Sequence, residues 1–264
     1  MGYFGLTMPI EQVVAGVNAN AEQIPTLRGG GSFEAWIKDN DKTHFVNGEV
    51  TLLYSQPRSL RLIGKKDIAG QVFEIGSNEE RYWVIIRGDE DTMWTGTFAN
   101  IDHVDPKQIP VQPDLLLEVL GVQPIPTNLL QQPVPVMRFN NDSDSYMLVW
   151  TIKLADKWAA QKEIWYDRAT LLPKLVLLFD ENGRVILRAY LANHKPVEVE
   201  NSPREKWPKV ATSYRLLFPE SGSKMTISLD DVALKRNNAP NAHSFTYPGE
   251  KAGVSHVIQL DEKP

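Results

Sequence analysis

The chain has 264 residues, a net charge of −5 with histidine neutral, 42% hydrophobic residues and no cysteine. Seven Trp, eight Tyr and nine Phe supply an ample core and exclude a disordered chain, and no basic run exceeds Lys65-Lys66, which excludes an electrostatic footprint for nucleic acid. Without cysteine there is neither a disulfide framework nor a thiolate site, so a metal would have to rest on histidines and carboxylates alone.

Pro9 to Ile24 sets Ile10, Val13, Val14, Val17, Ala21 and Ile24 on one stripe; this predicts a helix with one apolar face, capped near Thr7 and ended by Pro25. Arg28-Gly29-Gly30-Gly31-Ser32 then leads into a strand, Phe33 to Ile37. The triple glycine precedes a strand and no Gly-Lys-Ser/Thr follows it, so it reads as a flexible lead-in or a bend and not as a phosphate loop. A second strand spans Phe45 to Tyr54, with Asn47-Gly48 as either its opening turn or a bulge.

Arg58 to Phe98 reads as four short strands in an antiparallel meander. Leu60 and Leu62 alternate with Arg61, Val72 and Ile75 bracket Phe73 and Glu74, and Trp83 and Ile85 alternate with Tyr82, Val84 and Ile86. Gly64, Gly70, Gly76-Ser77-Asn78 and Gly88-Asp89 fall between these runs as turns. Because Tyr82 to Ile86 is apolar at every position, that strand is expected to be covered on both faces.

Pro113 to Gly121 predicts a short helix, opened by Pro113-Asp114, closed by Gly121 and so rich in leucine that it must bury most of its circumference as a plug or lid on the sheet. Pro124 to Pro135 is an irregular, proline-rich connection. Strands resume at Val134 to Asn140, Tyr146 to Leu154, Gln161 to Asp167, Pro173 to Phe179, Val185 to Asn193, Lys209 to Phe218 and Met225 to Leu234. Hairpin turns are marked at Asn141 to Asp144 and Asp180 to Gly183. A polar tail from Asn237 carries two last apolar patches, Phe245-Thr246-Tyr247 and Val254 to Leu260. Two helices and at least twelve strands in this order predict a mainly β (α+β) fold: a single strongly curved antiparallel sheet with helices packed on the concave face. One domain over residues 1–264 accounts for the order, a split at Pro124 to Pro135 being the alternative.

Residues with catalytic chemistry do not assemble. His44, His103, His194, His243 and His256 include no pair at helical ligand spacing, and no Gly-x-Ser-x-Gly elbow exists. Asp142-Ser143-Asp144 lacks the glycine and distal glutamate of a calcium loop, while Glu79-Glu80 and Asp230-Asp231 fall near turns. No catalytic residue, metal or cofactor is assigned, and the protein is expected not to be an enzyme.

Aromatic load on the strands is the sequence's distinctive feature: Trp36, Tyr54, Phe73, Trp83, Trp94, Trp150 and Trp165 exceed what two small helices readily bury. A concave apolar surface, partly vacant, suits acyl chains, since each buried methylene contributes ~0.8 kcal/mol and ten contribute roughly 8 kcal/mol before ordering costs. Residues expected to line it are Trp36, Leu52, Leu62, Phe73, Trp83, Ile85, Leu116, Leu120, Trp150 and Trp165.

Taken in order, a helix ending before Leu27-Arg28-Gly29, Ser59-Leu60-Arg61-Leu62-Ile63-Gly64 after a proline, Phe73-x-x-Gly76, Trp83, and Glu163-x-Trp165-x-Asp167-x-x-Thr170-x-x-Pro173 resemble the LolA/LolB-like periplasmic lipoprotein-carrier superfamily. The resemblance runs over most of Pro9 to Leu234, and the Pro124 to Pro135 link and the tail are additions to it. The resemblance implies an unclosed half-barrel, an antiparallel sheet whose concave face, lidded by helices, holds acyl chains, in a protein that is periplasmic or an outer-membrane-anchored lipoprotein, its lipidated cysteine upstream of Met1. The expected function is therefore a non-enzymatic cell-envelope binding protein for lipid or lipoprotein acyl chains, with peripheral or lipid-anchored membrane association. A second expectation is a sensor or scaffold of the same fold that binds an envelope protein partner through exposed Trp94 and Trp207. A third, a hydrolase, would need carboxylates or histidines converging in one cleft.

Overall fold

The computed structural model describes residues 3–39, 42–67, 70–88, 90–103, 113–234 and 240–261. The first helix, α1 (Ile10–Ala21), buries Val13, Val14, Val17 and Ala21. It stops short of Ile24 because Pro25 has no N–H to continue the ladder to the Ala21 carbonyl, and the Gln56 side chain donates to the Ala21 and Ile24 carbonyls at 3.3 and 3.2 Å.

Six strands follow: a long hairpin of β1 (Thr26–Asp39) and β2 (Lys42–Ser55), then β3 (Ser59–Lys66), β4 (Gly70–Ser77), β5 (Arg81–Ile86) and β6 (Thr92–Thr97). After α2 (Pro113–Leu120), residues 121–133 carry neither helix nor strand, as the proline-rich sequence predicts. A second meander comprises β7 (Val134–Asn140), β8 (Ser145–Lys153), β9 (Trp158–Asp167), β10 (Pro173–Phe179) and β11 (Val185–Ala192). Two-residue β12 (Lys195–Pro196) and β13 (Lys209–Val210) pair with each other as a separate ribbon, so the strand expected over Lys209 to Phe218 is broken. The sheet resumes with β14 (Ser213–Phe218) and β15 (Ser223–Ala233) and ends with β16 (His256–Gln259).

Fourteen strands form one sheet in the order β16-β6-β5-β4-β3-β2-β1-β15-β14-β11-β10-β9-β8-β7. The two meanders join through the β1–β15 ladder, and among the described residues β16 and β7 are the unpaired edges, so the sheet is an unclosed half-barrel. Its ladders are antiparallel except the last, because β16 returns from the tail to pair parallel with β6. The expectation of a wholly antiparallel sheet is corrected at that edge.

Strand alternation gives the sheet an inner face, covered by α1 and α2, and an outer one. Leu52, Leu62, Phe73, Ile75 and Val84 from the first meander, and Leu148, Ile164, Leu178, Leu216 and Leu229 from the second, form one continuous inner core with both helices. On the outer face Trp83, Ile85 and Met93 form a smaller core beneath Tyr247, Ala252 and Val254. Thus β5 is covered on both sides, as its unbroken apolar run predicts, and the second cover is the C-terminal tail.

Several glycines sit elsewhere than predicted. The triple glycine lies inside β1, where the register against β15 slips between Gly30 and Gly31, so it is a bend in the strand. Asn47-Gly48 is neither turn nor bulge: β2 already begins at Lys42, and Asn47 and Gly48 pair regularly with Glu34 and Phe33. Gly64 and Gly76 are strand residues, not turns, directly opposite Phe73 and Trp83. A Cβ on Gly64 would stand 2.1 Å from the Phe73 ring, and one on Gly76 2.2 Å from the Trp83 indole. Each glycine thus makes room for an aromatic ring folded across the ladder, and Gly76→Ala should cost about 1–3 kcal/mol in urea denaturation through overpacking. Gly88→Ala, where a Cβ meets nothing within 4 Å, should be neutral. Equal losses at the two positions would contradict this reading.

Candidate functional site

The hollow between α2 and the inner face is built from both meanders. Leu52 of β2 with Leu60 and Leu62 of β3 form one wall, Tyr214 and Leu216 of β14 with Ile227 and Leu229 of β15 form the other, and Val119 and Leu120 of α2 close it. The space left is about 30 Å³, lined by these apolar side chains. Such a volume holds about one or two waters and no acyl chain. The hollow expected to be partly vacant is therefore occupied here by α2, whose Val119 and Leu120 face it and whose Leu117 is buried in the same core.

One ionic contact crosses this apolar seam. Glu118 of α2 accepts from Nζ of Lys162, on the inner face of β9, at 2.5 Å, with the two side chains 22% and 18% exposed. The Lys162 ammonium also lies 4.7 Å from the centroid of the Trp150 ring, a cation–π contact across the β8–β9 pair. Tyr54 and Tyr166 lie on the same face. Burial first, and then the Glu118 charge, raises the pKa of both phenols well above the ordinary value. The Tyr54 side chain is fully buried, and its hydroxyl has no hydrogen-bond partner among the described residues.

Behind α2, residues 121–133 are tied to α1. Asn18, 5% exposed, donates from Nδ2 to the Ile125 carbonyl at 2.8 Å and accepts the Ile125 N–H on Oδ1 at 2.7 Å. Gln123 donates to the Pro57 carbonyl at 3.0 Å. The connection that leaves α2 is thereby pinned to both α1 and the β2–β3 turn.

Of the ten residues predicted for the cavity, Leu52, Leu62 and Leu120 line it. Phe73 and Trp150 belong to the same inner core, Phe73 packing edge-on against Phe33 with centroids 5.0 Å apart. Trp36, Trp83, Ile85 and Trp165 are on the outer face. Trp36 packs between Phe45 and Lys224, Trp83 and Ile85 lie under the tail, and the Trp165 indole donates to Glu163. The Leu116 side chain lies outside the described residues, as does that of His103. Sequence reasoning missed Leu60, Val119, Tyr214, Leu216, Ile227 and Leu229, although each follows by alternation or helical spacing from a neighbour on the same face. It also missed Glu118, whose signal was a lone acid in a run of leucines.

Trp94 and Trp207, expected to be exposed, are partly buried. Trp94 packs against the inner core, and the Trp207 indole donates to the Ser202 carbonyl at 2.9 Å. The Asp167-x-x-Thr170 motif is a turn: Asp167 Oδ1 accepts the N–H groups of Ala169 and Thr170 and the Thr170 hydroxyl at 3.0–3.1 Å, closing the β9–β10 hairpin. Among the described residues no three His, Asp or Glu side chains gather to hold a metal, and no helix is long and apolar enough to cross a membrane.

These features define a class: an unclosed β half-barrel whose apolar inner face is plugged by a short helix. That is the LolA-like fold. An outer membrane lipoprotein-sorting protein domain from Vibrio parahaemolyticus matches with a TM-score of 0.54 at 11% identity, over 89% of this chain and 95% of its own. A LolA superfamily protein from Nitrosomonas europaea matches at 0.53 and 11% identity, over 92% and 99% of the two chains. A DUF1329 family protein from Desulfovibrio piger matches at 0.53 and 11% identity, over 90% and 98%. No family model matches the chain, and no curated protein matches it in sequence. At such identity the likeness is one of fold.

Proposed function

We propose that the protein is a bacterial cell-envelope binding protein that takes lipid or lipoprotein acyl chains onto its inner face when α2 withdraws, and that it acts by binding, without a chemical step. The observation that carries this reading is the nature of the plug. An eight-residue helix fills a hollow that is apolar on both walls, and the one side-chain hydrogen bond from it to the sheet, among the described residues, is Glu118–Lys162. Such a helix is a replaceable occupant: each acyl methylene entering its place recovers about 0.8 kcal/mol of the burial that its departure gives up. The lipoprotein-sorting description of a protein with the same fold agrees with this use of the hollow and with an envelope location.

Titration of the intact protein with the uncharged probe N-phenyl-1-naphthylamine should give a saturable rise in fluorescence. Mass spectrometry of organic extracts should show co-purifying amphiphiles. No saturable signal together with lipid-free extracts would overturn the proposal.

A further inference from the structure

An apolar plug gains nothing by carrying a carboxylate into its own seam, because a half-buried ion pair recovers little beyond the cost of desolvating both partners. Yet α2 presents Val119 and Leu120 to the hollow and buries Leu117 in the same core, with the Glu118 carboxylate between them in sequence, and the sheet answers with a lysine on its inner face. In outline, what α2 offers is an anion attached to aliphatic groups. Were α2 to leave alone, Lys162 would remain against the Trp150 ring on the inner face without its counter-charge, with no other ion-pair partner among the described residues. The Tyr54 hydroxyl, fully buried on the same face, is a second donor and has no acceptor among the described residues. A neutral chain taking the place of α2 would leave both unsatisfied, whereas an anionic head would pair with Lys162.

We propose that the ligand of this hollow is an amphiphile with an anionic head, a carboxylate or a phosphate, that replaces the Glu118 carboxylate on Lys162, and that Lys162 sets this preference. The inference rests on the hollow being the binding site, and adds the class of head group. Glu118 is then an internal competitor: it keeps Lys162 paired while the hollow is empty of ligand and must be displaced when ligand arrives.

The test displaces N-phenyl-1-naphthylamine from the full chain with three ligands of like chain length: oleate, oleoyl lysophosphatidate and uncharged oleyl alcohol. The wild type should bind both anions about tenfold or more tightly than the alcohol, the ratio a charge-assisted hydrogen bond supports. Lys162→Met, which keeps the aliphatic stem, should retain alcohol binding and lose the preference. Glu118→Gln should tighten both anions more than the alcohol, because the competitor has lost its charge; this readout leaves Lys162 in place should Lys162→Met fold poorly. Tighter binding of only one anion assigns the head as carboxylate or phosphate and supports the proposal. Equal binding of anions and alcohol by the wild type, or an undiminished preference in folded Lys162→Met, overturns it. Failure of all three ligands and of the probe to bind would instead remove the hollow as the site.

Discussion

Arg61→Met should lower the unfolding free energy by about 3–5 kcal/mol in urea denaturation, the loss typical of stripping the partner from a buried charge. Glu74, on the outer face of β4, is 2% exposed. Its two carboxylate oxygens accept from Nε and Nη2 of Arg61 on β3 at 3.0 and 3.2 Å, a two-pronged pair, and Oε1 also accepts the Trp83 indole N–H at 2.9 Å. Methionine fills much of the arginine's volume but leaves the carboxylate with one neutral donor under an apolar cover. The double variant Arg61→Met/Glu74→Gln should recover more than half of the loss, because no charge remains and the glutamine carbonyl can still accept the indole proton. A loss below about 1 kcal/mol for the single variant, or no recovery in the double, would show that the pair is not what anchors this face. Arg61 also donates from Nη1 to the Ser244 carbonyl at 3.2 Å, and Arg87 donates to the Gly253 carbonyl at 2.9 Å and to that of Ala252. The tail over Trp83 is held largely by arginines reaching up from the sheet, so the single variant should also speed amide exchange in residues 240–253.

This outer network marks where the sequence was legible and where it was not. Alternation identified β5 as covered twice, but a strand apolar at every position has no polar phase to say which residues face which cover. Trp83 and Ile85 were therefore assigned to the hollow, whereas Leu62, Ile75 and Val84 align across three strands on the inner face and send the intervening Arg61, Glu74 and Trp83 outward. Arg61 and Glu74 were the available clue, since two charges on one face of a meander mark a face that differs from the greasy one. Gly64 and Gly76 were read as turns because a glycine's reason lies across the ladder, in Phe73 and Trp83, and the register that brings them opposite is not local information. The parallel return of β16 to β6 is equally non-local: its residues are 164 positions from their partners, from Thr92 to His256, and nothing in either segment names the other. The single curved sheet itself was legible because it follows from counting strands and helices in order, a property that survives errors of phase, and its unclosed half-barrel form came from the order of the short motifs that resemble a known family.

Asn18→Ala should cost about 2–6 kcal/mol, because it strands the N–H and the carbonyl of one buried residue at once, each at about 1–3 kcal/mol. Asn18 occupies the apolar stripe of α1, four residues after Val14 and three before Ala21. It supplies Ile125, itself 5% exposed, with the donor and acceptor that a neighbouring strand would otherwise provide. Asn20 makes the same two-bond clamp on Lys209, at 2.7 and 3.0 Å, but at an exposed site where water can take its place. Asn20→Ala should accordingly cost less than about 1 kcal/mol, and equal losses for the two variants would defeat the argument. The clamp also bears on the hollow. Val122 and Ile125 are buried in the core just beyond α2, so Asn18 holds the segment from which the plug is suspended. Freeing that segment lowers the free energy of lifting α2 without altering any side chain that lines the cavity, and the competent population rises in proportion. The folded Asn18→Ala protein should therefore take up N-phenyl-1-naphthylamine faster and more tightly than the wild type, although it is less stable; a protein whose hollow never opens would lose stability and show no such gain.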